Sequence, residues 1–249
     1  MVRTKQSIPM PRSKIKTPLF VAIDTADEKL ARQLAVQTAP VTSGIKLGLE
    51  FFMQHGPEGV RRLLKGLDVA LFLDLKLHDI PNTVMGAMKS VVELRPTFIT
   101  VHTMGGEVMM RSAIKAADEA ARKLGVPRPL ILGVTVLTSL EDTDLKMMGH
   151  MTPLADQARR LASLAQDCKL DGVVCSPHEI RELRTLCGKG MILVCPGVRP
   201  KGTKNDDQKR TLTPAEAMAN GADYLVMGRP ITGAPNPAEA AREILASLK

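Results

Sequence analysis

Aromatic residues are nearly absent from this chain: five Phe, one Tyr (Tyr224) and no Trp among 249 residues. Without stacking platforms, a binder of single-stranded nucleic acid is disfavoured. No C-x-x-C occurs among the four cysteines, Cys168, Cys175, Cys187 and Cys195. A zinc site needs closer spacing and histidine partners, so no metal site is expected. Cys175 and Cys195 fall inside apolar strand patterns and read as buried free thiols of a reducing compartment. No apolar run approaches the roughly 20 residues that span a bilayer, so no membrane contact is expected. The N-terminus lacks an apolar h-region, so a secretory signal is not expected and the cytoplasm is the expected location.

Acidic residues are missing before Asp24, whereas Arg3, Lys5, Arg12, Lys14 and Lys16 precede it. The formal net charge of +8 is concentrated there, and the remainder of the chain is near +3. The basic balance therefore does not describe a nucleic-acid surface. Pro9 and Pro11 interrupt any amphipathic helix, and residues 1–16 read as a flexible basic tail. Residues 17–249 read as one domain. A chain of about 250 residues is typical of a (β/α)8 barrel.

What is present is a regular alternation. Strand-like runs fall at 19–24, 44–47, 69–76, 98–102, 130–136, 172–175, 191–196 and 224–228. Amphipathic segments follow them at 28–38, 50–66, 83–94, 106–124, 153–168, 177–187, 214–220 and 237–248. Repeated βα order implies a parallel sheet with helices outside. Helix starts are legible in Ser176-Pro177-x-Glu179, Thr213-Pro214-x-Glu216 and Asn236-Pro237-x-Glu239, each a cap, a first-turn proline and a glutamate at N3. Thr152-Pro153 repeats the first half of that pattern. Eight strands, with no G-x-G-x-x-G after the first, favour a closed α/β (β/α)8 TIM barrel over an open doubly wound sheet.

Side chains alternate faces along a strand. In strand three, Leu71, Leu73, Leu75 and Leu77 share a face suited to helices, and Ala70, Phe72, Asp74 and Lys76 share the other. The same parity sends Asp24 inward from strand one, Lys46 from strand two and His102 from strand four. Each stands near the C-terminal end of its strand, where barrel active sites lie. An ion-pair network of purely structural use is the competing reading. For His102, a satisfied core histidine weighs at least as much as a catalytic one. Strand seven ends in Pro196-Gly197-Val198-Arg199 and strand eight in Gly228-Arg229, the loops where barrels bind phosphate. Thr138 and Ser139, past strand five, read equally as ligand contacts or as a helix cap. The polar stretch 197–210 is long for a βα loop and reads as functional or disordered.

These residues resemble the orotidine 5′-phosphate decarboxylase family over about 17–249. The match comprises Ala22-x-Asp24, Lys46-x-Gly48, Asp74-x-Lys76-x-x-Asp79-Ile80-Pro81-Asn82-Thr83, Val134-Thr135-Val136-Leu137-Thr138-Ser139, Pro196-Gly197-Val198-Arg199 and Gly228-Arg229. The resemblance implies decarboxylation of orotidine 5′-phosphate to uridine 5′-phosphate without a cofactor. It implies an alternating array of Lys46, Asp74, Lys76 and Asp79, with Lys76 as proton donor. It implies that Asp24 and Lys46 contact the ribose, that Thr83 reaches the ligand together with Asp79, and that Thr138 lies near the pyrimidine. Gln208 and Arg229 then bind phosphate, with Gly228 beside them and Arg199 next to a loop that closes over it. It also implies a homodimer in which Asp79 and Thr83 serve the partner's site. Mg2+-dependent phosphosugar enzymes of the same barrel group, the 3-keto-gulonate phosphate decarboxylase and hexulose phosphate synthase type, share Asp-x-Lys-x-x-Asp. They place a glutamate metal ligand on the second strand, where this chain has Lys46, a cation in place of an oxygen donor. A non-catalytic nucleotide- or RNA-binding barrel is the rival from another class, and it leaves the inward charges unexplained.

Overall fold

Period-two alternation is realised strand by strand. The computed structural model describes residues 15–200 and 212–248. Its strands are β1 (Leu19–Ile23), β2 (Gly44–Gly48), β3 (Ala70–Leu77), β4 (Phe98–His102), β5 (Leu130–Val134), β6 (Gly172–Val174), β7 (Ile192–Pro196) and β8 (Tyr224–Met227). All pair in parallel with their sequence neighbours, and β1 pairs with β8, closing the barrel. The helices are α1 (Glu28–Thr38), α2 (Leu49–Leu64), α3 (Pro81–Val92), α4 (Gly106–Leu124), α5 (Asp142–Met147), α6 (Leu154–Asp167), α7 (Ile180–Cys187), α8 (Pro214–Ala219), α9 (Arg229–Thr232) and α10 (Pro237–Ala246).

The two faces separate into two cores. Leu19, Val21, Ile23, Ile45, Leu47, Leu71, Leu73 and Leu75 join the helices in an outer layer. Phe20, Ala22, Ala70, Phe72, Phe98, Leu130, Leu132, Ile192, Val194 and Val226 form a second cluster. Its members come from β1, β3, β4, β5, β7 and β8, strands on opposite sides of the closed ring, so they meet inside the barrel. Phe20 lies edge-on to Phe72, Phe98 and Tyr224, with ring centroids 6.0, 5.4 and 5.8 Å away. Three of the five Phe, Phe20, Phe72 and Phe98, are thus buried inside the barrel, each ring burial stabilising by roughly 1.5–3 kcal/mol. Gly44 is required by that packing, since a Cβ there would lie 2.4 Å from the Phe20 ring and 2.5 Å from the Ala70 carbonyl.

Several expectations are corrected. Two short helices, α5 and α9, were not legible: the first is six polar-rich residues, the second four. Helix α3 opens at Pro81, not at 83, because proline is pre-set for the first helical turn. Thr152 does not cap α6; Asp142 Oδ1 accepts from the Leu154 amide at 2.7 Å instead. Thr213 and Asn236 do cap their helices. The Ser176-Pro177-x-Glu179 pattern opens a 3-10 turn at Pro177–Glu179, with α7 behind it. Even pairing fails once, between β3 and β4 around Lys76. The tail through residue 14 and most of the stretch 197–210 lie outside the described residues.

Candidate active site

The inward residues at the strand ends converge on one cavity of about 440 Å3 at the C-terminal mouth. Its charged wall comes from β2, β3 and the residue after β1: Asp24, Lys46, Asp74 and Lys76. Their charges alternate in space. Lys46 Nζ donates to Asp24 Oδ1 at 2.7 Å and lies 3.8 Å from Asp74 Oδ2. Lys76 Nζ donates to the same Asp74 Oδ2 at 2.8 Å. Lys46 and Asp74 are nearly buried, with side chains 9% and 16% exposed, whereas Lys76 at 31% faces the cavity. Burial makes this pairing obligatory, since an uncompensated charge would be strongly destabilising. Gly48 completes the Lys46-x-Gly48 motif for a steric reason. A Cβ there would sit 3.1 Å from Lys46 Nζ and 3.2 Å from Asp24 Oδ1, crowding the pair.

The opposite wall comes from the later strands. Val134, Val136, Leu137 and Thr138 lie at and beyond the end of β5; Pro196, Gly197 and Arg199 do so for β7; Gly228, Arg229 and Thr232 follow β8. Thr138 is thus a cavity residue and not a helix cap, the cap of α5 being Glu141. Arg229 opens α9, with Gly228 at the cap position. A Cβ on Gly228 would make only ordinary 3.6 Å contacts with Ala22, so its neighbours do not demand glycine. Apolar Ala22, Phe72, Val174 and Val226 line the same space. The cavity therefore offers charge at one side, arginines at the other and apolar side chains between, the layout of a small-ligand site.

Not every expected residue joins it. Asp79 and Thr83 are exposed and do not line the cavity. Asp79 Oδ1 accepts from the Ile80 amide at 2.6 Å, and Thr83 lies in the first turn of α3. Gln208 lies outside the described residues. His102 does not line the cavity: its Nδ1 accepts from the Met104 amide at 3.4 Å, and its ring stacks on His78 with centroids 5.2 Å apart. Burial first, then the nearby charges of His78 and Lys76, hold the His102 imidazole below its ordinary range. Cys175 also lines the cavity, but burial, followed by the charges of Cys195 and Glu179, pushes its thiol well up, so it is no thiolate nucleophile. Among the described residues no group of three His, Cys, Asp or Glu side chains is arranged to hold a metal ion. Thr100 stands two residues before His102 in β4, on the same face by alternation. It is buried against both Asp74 and Lys76, a neighbour relation that no spacing in the sequence reveals.

An eight-stranded parallel barrel whose charged side chains and arginines meet at the C-terminal mouth is the architecture of a TIM-barrel enzyme. The comparisons narrow this class. The chain belongs to the Orotidine 5′-phosphate decarboxylase / HUMPS family, whose model matches residues 17–244. It is 51% identical over 231 residues to orotidine 5′-phosphate decarboxylase of Paramagnetospirillum magneticum, covering 93% of this chain and 98% of that protein. It is 50% identical over 240 residues to the Rhodospirillum rubrum protein of the same name, covering 96% of this chain and 97% of the other. The crystal structure of orotidine 5′-phosphate decarboxylase from Lactobacillus acidophilus superposes with a TM-score of 0.82 at 34% identity, covering 94% of this chain and 100% of that one.

Proposed function

We propose that this protein decarboxylates orotidine 5′-phosphate to uridine 5′-phosphate, the last step of de novo pyrimidine synthesis, with its own side chains as the only catalytic groups. The observation that carries the reading is the Asp24–Lys46–Asp74–Lys76 array lining a cavity that also holds Arg199 and Arg229. In the reaction the C6–carboxylate bond breaks and its electron pair stays on C6 as an sp2 carbanion without π delocalisation. Stabilisation then falls to preorganised charge. Asp74 lies beside the departing carboxylate; two unit charges about 4 Å apart repel by roughly 4 kcal/mol at an effective dielectric of 20. That repulsion falls as neutral CO2 leaves. The Lys76 ammonium attracts the developing carbanion and donates the proton that completes the C6–H bond. Solvent reprotonates the amine before the next turnover.

Remote contacts supply the binding energy that orients the reacting end. Asp24 and Lys46 hold the ribose, Thr138 faces the pyrimidine, and Arg229 with Gly228, Gln208 and Arg199 takes the phosphate. Lys46 already places its ammonium between Asp24 and Asp74, where a divalent ion would need an oxygen donor instead. The same reading makes the protein a homodimer in which Asp79 and Thr83 enter the partner's site. Exposure of both residues supports it, as do Ile80, Met104 and Val108, which are 67%, 43% and 69% exposed on the elements that follow β3 and β4. Exposed apolar patches mark association surfaces. It has the enzyme act in the cytoplasm, a reducing compartment suited to four free, buried thiols.

Mixing two inactive variants tests reaction and dimer together. Lys76→Ala and Asp79→Ala are each expected to fold and to be inactive in an assay that follows loss of the orotidine 5′-phosphate absorbance band. In a mixed dimer one site carries both lesions and the other neither, so part of the activity returns. Turnover by Lys76→Ala alone would remove the reaction assignment. A mixture that stays inactive after subunit exchange has been demonstrated would confine Asp79 to its own barrel.

A further inference from the structure

β3 and β4 fall out of step at the site. Leu73 pairs with Ile99, but the next pair is Leu77 with Val101. Three residues, Asp74, Leu75 and Lys76, therefore stand against a single one, Thr100. Lys76 absorbs the surplus by adopting φ 48°, the left-handed region that an L side chain disfavours. A bulge of this kind breaks the ladder and leaves backbone groups to be satisfied otherwise.

Thr100 meets that need with one hydroxyl. Its Oγ1 accepts from the Lys76 backbone amide at 2.8 Å and donates to Asp74 Oδ1 at 3.0 Å. The side chain is fully buried and absent from the cavity wall, so it cannot touch a ligand there. Its only proton is committed to the carboxylate. Asp74 is thereby held with Oδ1 toward β4 and Oδ2 toward Lys76 Nζ and Lys46 Nζ. Valine would fill the same volume and keep the strand preference. The hydroxyl is thus not explained by packing.

We propose that Thr100 is a positioning residue for the decarboxylation. It fixes the Lys76 backbone in its left-handed conformation and the Asp74 carboxylate in one rotation, setting both charges from the neighbouring strand. The inference rests on the assignment of Asp74 and Lys76 as the groups that face the reacting carbon.

Thr100→Val removes both hydrogen bonds at constant shape. Its kcat is expected to fall about 100-fold, the scale of a small misplacement of reacting groups. Its affinity for uridine 5′-phosphate should stay near wild type, because phosphate and ribose are held elsewhere. A fall in kcat without weakened binding marks an interaction realised in the transition state, which a merely structural residue would not produce. Thr100→Ser keeps donor and acceptor and should recover most of the rate. Should Thr100→Val fail to fold, Thr100→Cys, a weak donor and acceptor of similar size, carries the same expectation. The proposal is overturned if folded Thr100→Val or Thr100→Cys turns over at the wild-type rate while Lys76→Ala is inactive. It is overturned equally if Thr100→Ser is no better than Thr100→Val. Turnover by Lys76→Ala would instead show that the underlying assignment of the site had failed, and Thr100 would lose its role with it.

Discussion

The two ends of the barrel handle the same charges in opposite ways. At the N-terminal end, Arg128 grips Asp171 with two parallel hydrogen bonds of 2.8 and 2.6 Å and reaches Asp118 at 3.3 Å. Asp171 also accepts from the Ile131 amide at 2.7 Å. Arg184 repeats the arrangement two strands on, donating to Asp223 and to the carbonyls of Gly188, Met191 and Gly221, while Asp223 accepts from the Leu193 amide. Each pair closes a seam between neighbouring βα units and leaves little capacity unused. At the C-terminal mouth the cations of the charged wall are lysines, compact point charges on flexible stems, set alternately with carboxylates around open space. Planar guanidinium forks suit fixed, bidentate structure. Ammonium groups that carry a transferable proton suit chemistry. Both ends contain partly buried ion pairs, so burial and pairing alone do not mark a site; the open cavity beside the pair does.

The contrast is sharpest in paired substitutions. Lys76→Ala should lower turnover by more than about 10⁴-fold, since proton donor and counter-charge vanish together. Its unfolding free energy should change little, because Asp74 keeps the Lys46 ammonium at 3.8 Å and the Thr100 hydroxyl as partners and is not left uncompensated. Arg128→Ala should do the reverse, losing about 3 kcal/mol of stability by stranding Asp171 while kcat per folded molecule is unchanged. Urea unfolding and initial rates on the same preparations decide it. A destabilised Lys76→Ala, or a stable Arg128→Ala with reduced kcat, would break the comparison.

A smaller effect is expected on the arginine side of the cavity. Arg229→Ala should weaken uridine 5′-phosphate binding by roughly 1.5–3 kcal/mol, the scale of a lost charged hydrogen bond. Uridine, without the phosphate, should lose little. Calorimetric titration of both ligands separates the cases, and equal losses would take Arg229 away from the phosphate.

The smallest effect concerns His102. Its pKa is held below the ordinary value of 6.5, first by burial and then by the charges of His78 and Lys76. The unfolded chain therefore takes up this proton more readily than the folded one. The neutral ring's contribution is complete above pH 6.5 and is lost as pH falls through the depressed folded value. His102→Phe should flatten the acid limb of stability against pH below 6.5. An unchanged slope would show that other groups set that limb.

Much of the fold and the charged wall of the candidate site can be read from the chain alone. Strict alternation puts Phe72, Leu73 and Asp74 on their proper faces because a strand has only two. The caps at Thr213 and Asn236 are legible because capping is local chemistry between residues three apart. Helix α9 is not, being four residues around a proline with no amphipathic period to detect. Nor is the bulge at Lys76. Alternation assigns Lys76 to the inner face whether or not the strand slips, so the slip leaves no trace in the pattern.

By itself, the sequence determined the class of fold, the barrel's two faces, the strand ends that carry charge and the family to which those motifs belong. All of these follow from short-range periodicity and from motifs whose residues are near neighbours in the chain. Tertiary structure alone decided that Lys46 stands between two carboxylates, that a Cβ on Gly48 would crowd that pair, and that Thr100 joins Asp74 to Lys76. These relations are set by the register of neighbouring strands in a closed barrel. Register is fixed by packing across the whole ring, and no single segment encodes it.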